Sequence, residues 1–130
     1  MGGKYPHLWH YQHLMDPRAV TAGSNMPPYP HLAEDTIDAD DTAGKMRAMR
    51  TVGVPYSTDE IHAAGATERR DGHAIADELK RTGGVELAPD SKMVALIAYL
   101  QRLGLAKSPS APASASGQTV AAAPAGAEVR

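Results

Sequence analysis

Seven consecutive residues, Ser24-Asn25-Met26-Pro27-Pro28-Tyr29-Pro30, forbid most regular structure in their part of the chain. Each proline has a fixed φ and biases the residue before it toward extended geometry, so the run must be a stiff, extended loop. Met26 is pinned immediately before this kink. A thioether held in place suits two jobs. It can fill a gap under the loop, the commonest use of methionine. It can also present a neutral sulfur to a soft metal centre, an axial position on haem iron among them. The residues of the loop leave both open. The chain has no cysteine, so it cannot carry the C-x-x-C-H motif that attaches haem covalently.

A chain of 130 residues has room for one small domain of about 100 residues and a tail. Aromatic residues make up 5% and there is no Phe, so a large self-sufficient core is not expected. A cofactor or a partner subunit would supply the missing apolar mass. A formal net charge of −2 gives no footprint for nucleic acid or an anionic membrane. Lack of cysteine excludes disulfides and thiolate metal sites. No apolar run approaches the ~20 residues needed to cross a bilayer. The start, Met1-Gly2-Gly3-Lys4-Tyr5-Pro6-His7, lacks the apolar stretch of a signal peptide. By itself the chain is expected to be soluble and unexported.

Helical periodicity dominates the rest. Leu8, Trp9, Tyr11, Leu14 and Met15 predict a short helix from Pro6 to about Met15, stopped at Asp16-Pro17. Val20 to Leu32 is expected as loop. Acidic Asp38, Asp40 and Asp41, followed by Lys45, Arg47 and Arg50, suit the dipole of a helix from about Ala39 to Arg50. Gly53-Val54-Pro55 ends it. Ser57-Thr58-Asp59-Glu60 has the form of a capping box, and the helix behind it is expected to break at Gly65. Another helix runs from Thr67 to Arg81 with Ile75 and Leu79 on one side, capped by Gly83 and Gly84. The last has Asp90 or Ser91 at its N-cap and an apolar stripe of Met93, Leu96, Ile97 and Leu100, widened by Val94 and Leu103. No segment alternates with period two, which predicts an all-α domain over residues 1–105. Residues 106–130, rich in Ala, Pro and Ser, predict a disordered tail.

Few side chains are placed for chemistry. His7, His10 and His13, spaced by three, turn about 60° from one to the next on a helix, so neighbours could share a metal. A polar helix face explains them equally. Met15, Met46, Met49 and Met93 fall on helical stripes and are expected in the core. There is no nucleophile triad, no paired-carboxylate site and no phosphate-cradling glycine loop.

In this order the pieces resemble the C-terminal part of a class I cytochrome c domain, and within that class the mono-haem subunit II of cbb-three-type cytochrome c oxidases. The match is carried by Gly2-Gly3-Lys4-Tyr5-Pro6, by Trp9-His10-Tyr11-Gln12-His13-Leu14 and by Asp16-Pro17-Arg18. It continues through the Met26 loop, Lys45-Met46-Arg47-Ala48-Met49-Arg50-Thr51-Val52-Gly53-Val54-Pro55-Tyr56, and the helix from Met93 to Gly104. The resemblance implies an electron-transfer subunit that is not catalytic by itself. It implies a haem c, attached through C-x-x-C-H on residues upstream of this sequence, with Met26 as distal iron ligand and Pro27 beside it. Leu96, Ile97, Tyr99 and Leu100 would pack near that haem. The implied partners are the catalytic and di-haem subunits of the oxidase and a cytochrome c donor. The family faces the periplasm on an inner-membrane anchor. This sequence shows neither signal nor anchor, so expressed alone it is expected in the cytoplasm and only partly folded. Two other readings stand beside this one, a haem-free helical docking module and a metal-binding protein built on the three histidines.

Overall fold

The computed structural model describes residues 2–105, in which six α-helices and no strand are found. The fold class is all-α, as the periodicity predicts. The Ala/Pro/Ser-rich stretch 106–130, expected as a tail, lies outside the described residues. No helix among the described residues is long and apolar enough to cross a membrane.

Helix α1, His7–Met15, ends where Asp16 adopts an extended backbone before Pro17. Asp16 does more than stop it. Its carboxylate accepts the N–H groups of Arg18 and Ala19 at 3.1 and 3.3 Å and starts a one-turn helix, α2, Pro17–Val20. A second single turn, α3, His31–Glu34, falls where loop was expected. One turn is too short to show a period, so neither was legible.

Helix α4, Thr42–Thr51, begins three residues later than the acidic cluster predicts. The side chain of Asp38 accepts the N–H of Asp40 at 2.9 Å, a local turn that competes with helix in the residues before Asp41. Met49, expected in the core, is 49% exposed at the far end of α4; Met46 is half-buried.

Helix α5, Thr58–Gly83, is the long element, and it does not break at Gly65. Its start is the capping box: Ser57 Oγ accepts the Glu60 N–H at 3.2 Å while the Glu60 carboxylate accepts the Ser57 N–H at 2.8 Å. Its end is Gly84, whose φ of 64° suits glycine. Gly65 marks a crossing instead. A Cβ there would lie 2.9 Å from the carbonyl oxygen of Ala39, and one at Gly72 would overlap the carbonyl oxygen of Pro89. Two loop segments thus press their backbones onto one helix, each where a side chain is missing.

Helix α6, Lys92–Arg102, has Ser91 at its N-cap, where Oγ accepts the Val94 N–H at 3.2 Å. Its buried stripe is Met93, Val94 and Ile97, which meets Leu14 of α1 and Ile75 and Leu79 of α5 in the core. Among the helices, α4 packs on α5 alone, and α5 also buries Ile61 and Ala64. The segment before α6 is tied to the segment after α3: the Ile37 N–H donates to Asp90 and the Lys92 N–H to Asp35, each at 2.8 Å. The chain's start crosses the other end of α6. There the Gly2 N–H donates to the Leu103 carbonyl at 2.8 Å, and the Gln101 side chain both accepts from the Gly3 N–H and donates to the Tyr5 carbonyl.

Candidate functional site

The Met26 loop is held at several points. At its start, Arg18 Nε reaches the Ser24 carbonyl at 3.4 Å and the Ser24 N–H donates to Thr21 at 3.1 Å. Ser24 Oγ then accepts the Met26 N–H at 3.2 Å. At its far side the Tyr29 N–H donates to the Leu14 carbonyl at 2.8 Å, so the loop is clipped to the last turn of α1. Between these ties the prolines leave little freedom. Met26 itself is half-buried and packs on the core cluster together with Tyr29 and Leu32, while Pro27 is exposed.

Of the residues singled out on α6, Leu96 is half-buried against that same cluster and Ile97 is fully buried within it. Leu100 is half-buried, and Tyr99 is 62% exposed. The fold therefore brings Met26 and Leu96 to one core. It does not bring Tyr99 there.

The three histidines of α1 part company. His7 Nδ1 lies 2.9 Å from a Glu78 carboxylate oxygen on α5. His10 is 3% exposed, which corrects the expectation of a polar face. The His13 ring stacks on Trp9 at 4.8 Å between centroids, and Trp9 stacks on Tyr5 at 4.1 Å. Among the described residues no group of three or more His, Cys, Asp or Glu is placed to hold a metal ion. A histidine metal centre thus finds no support in the geometry. Instead, His10 Nε2 and His13 Nδ1 are buried without a hydrogen-bond partner. Burial, and then the proximity of His7 and His13, lowers the pKa of His10 and favours its neutral form.

Nothing in the histidine spacing announces this burial. The available signal was Leu14, one turn beyond His10 on the same side of the helix. A separate groove of about 310 Å³, lined by residues such as Ile37, Glu68, Arg69, His73 and Pro89, shares no lining residue with the Met26 loop or with α1. Two of its charged groups are engaged: Arg69 pairs with Asp40, and Glu68 accepts from the Thr42 hydroxyl.

Compared with known families, residues 1–106 match the family model described as cytochrome c oxidase, mono-heme subunit/FixO. No curated protein matches the chain.

Proposed function

This chain belongs to the FixO family of mono-haem cytochrome c oxidase subunits, and from that premise we propose that Met26 is the distal sulfur ligand of the subunit's haem c. The observation that carries this is the Met26 loop: a thioether at a half-buried position, tied to α1 and packed on the same core as Leu96.

The residues present fit part of a haem site. Met26 offers a neutral sulfur, and the half-buried Leu96 offers an apolar contact beside the same core. The sequence has no cysteine, so the attachment cysteines and their histidine belong to residues outside this sequence. When bound, haem supplies one-electron exchange between ferric and ferrous iron.

The work of this chain is positional. The Ser24 hydroxyl and the Leu14 carbonyl fix the loop, the prolines keep it stiff, and Leu96 with its neighbours excludes water. A thioether bound in such a setting favours ferrous iron and raises the potential. The chain then serves electron transfer from a cytochrome c donor toward the catalytic subunit, beside the di-haem subunit, on the periplasmic face of the inner membrane. No bond-making chemistry is assigned to it.

The test is Met26→Ala in the haem-loaded subunit. The charge-transfer band of sulfur-ligated ferric haem should disappear and the reduction potential should fall. A variant whose band persists unchanged rejects Met26 as the ligand.

A further inference from the structure

We propose that the outer end of α4 is a docking surface for an acidic, carboxylate-bearing face of another oxidase subunit. The proposal goes beyond the haem ligand and does not depend on Met26.

Two apolar side chains in solvent mark the place. Val52 is 76% exposed, and Met49, in the last turn of α4, is 49% exposed. Among the helices, α4 packs on α5 alone, so no other helix covers this end. At 100° per residue Met49 and Val52 lie about 60° apart, with Lys45 between them in angle, one turn back. Arg50 and Arg47 follow on the flank beyond Met49. The apolar pair is thus ringed by cations, and residues 42–58 contain no acidic side chain.

The charge of this ring is not cancelled within the chain. Elsewhere Arg69, Arg70, Lys80, Lys92 and Arg102 each meet a carboxylate. Among the described residues Arg47 and Arg50 meet none, and only in α4 do two such cations stand within one turn. Arg50 is held by a neutral group instead. Its Nη1 donates to the Thr58 hydroxyl at 3.2 Å, which orients the guanidinium across the turn to α5 and leaves its charge whole. Lys45 lies 4.0 Å from Asp41 with both side chains well exposed, an ion pair of little strength. A local positive surface therefore stands on a chain whose net charge is −2.

This composition selects the occupant. Arg and Met are enriched where proteins meet. The planar fork of Arg matches a carboxylate, and Met adapts its shape to what it touches. A symmetric pair formed with a second copy of this chain would set the same cations against each other. Recognition of an anionic bilayer calls for a cluster of about four to eight cations, more than α4 offers. Membership in a family of oxidase subunits puts neighbouring subunits beside this one.

The experiment measures binding of the haem-loaded subunit to the remaining oxidase subunits, purified without it, by surface plasmon resonance at low and high salt. Arg47→Glu should slow association about tenfold at low salt and less at high salt. Arg47→Gln removes the charge alone and should slow it about threefold. Met49→Ser combined with Val52→Ser should keep the association rate and speed dissociation about fivefold. Arg81→Glu makes the same charge change about 35 Å along α5 from Thr58 and should bind like the parent. All these side chains are exposed, so circular dichroism should show the parent's helix content in each variant. Parental rates in both Arg47 variants and in the Met49/Val52 variant overturn the proposal. So does an Arg81→Glu that binds as poorly as Arg47→Glu, because net charge alone would then explain the loss. Binding to phosphatidylglycerol vesicles that Arg47→Glu abolishes, with subunit binding unchanged, assigns the surface to lipid and overturns it too. A dimer of this subunit that Arg47→Glu dissociates, again with subunit binding unchanged, assigns it to a second copy with the same effect. None of these results bears on Met26, which stands or falls on its sulfur band.

Discussion

His10 is a titratable ring inside a small core, and that has a measurable consequence in the haem-free chain. Burial first, then His7 and His13, lowers its pKa from the ordinary value of 6.5. Between the lowered value and 6.5 the unfolded chain holds more protons than the folded one, so stability rises with pH across that window. It is full above 6.5 and is lost as pH falls toward the folded value. Urea unfolding at a series of pH values should show this climb, and His10→Leu should flatten it below 6.5. A variant with the same slope as the parent would place the titration elsewhere. Met26 makes the opposite case, because its setting is legible from sequence: three prolines around one thioether define a stiff presentation before any fold is known. The burial of His10 is not legible. A histidine on a short helix reads as polar until the packing of neighbouring helices is known.

Glycines in helices show why element boundaries were only half readable. Gly44 in α4 has nothing within 4 Å of where a Cβ would stand, whereas a Cβ on Gly72 in α5 meets the Pro89 carbonyl oxygen. Gly44→Ala should therefore stabilise by about 0.5–1 kcal/mol through helix propensity. Gly72→Ala should destabilise by about 1–3 kcal/mol, because a loop backbone has to move away. Thermal melts of the two variants should shift in opposite directions; a gain from Gly72→Ala would mean that the crossing is loose. Gly65 is the same kind of position, which is why reading it as a break failed. The capping box is different, since Ser57 and Glu60 satisfy each other within one turn. It was legible in full, and Ser57→Ala should cost about 1 kcal/mol.

At the scale of the whole molecule the helices are not equally secured. Leu14, Ile75, Leu79, Met93, Val94 and Ile97 form one core, while Ile61 and Ala64, also buried, lie outside that cluster on α5, the one helix against which α4 packs. Ile97→Ala should cost about 2–5 kcal/mol and lower the protection of every helix in hydrogen exchange. Ile61→Ala should speed exchange in α4 and leave the amides of α6 as they were. Equal acceleration in both would show a single cooperative unit. The sequence by itself determined the all-α class, the capping box at Ser57, a glycine end to α5 and the stiffness of the Met26 loop, because each follows from contacts within a few residues. Only the tertiary structure decided that α5 runs unbroken past Gly65, that Met26 and Leu96 share a core, that Tyr99 faces solvent, and that two imidazole nitrogens are buried unpaired. Those outcomes depend on which backbone crosses which helix, and on which side chains lose water when residues far apart in the chain come together.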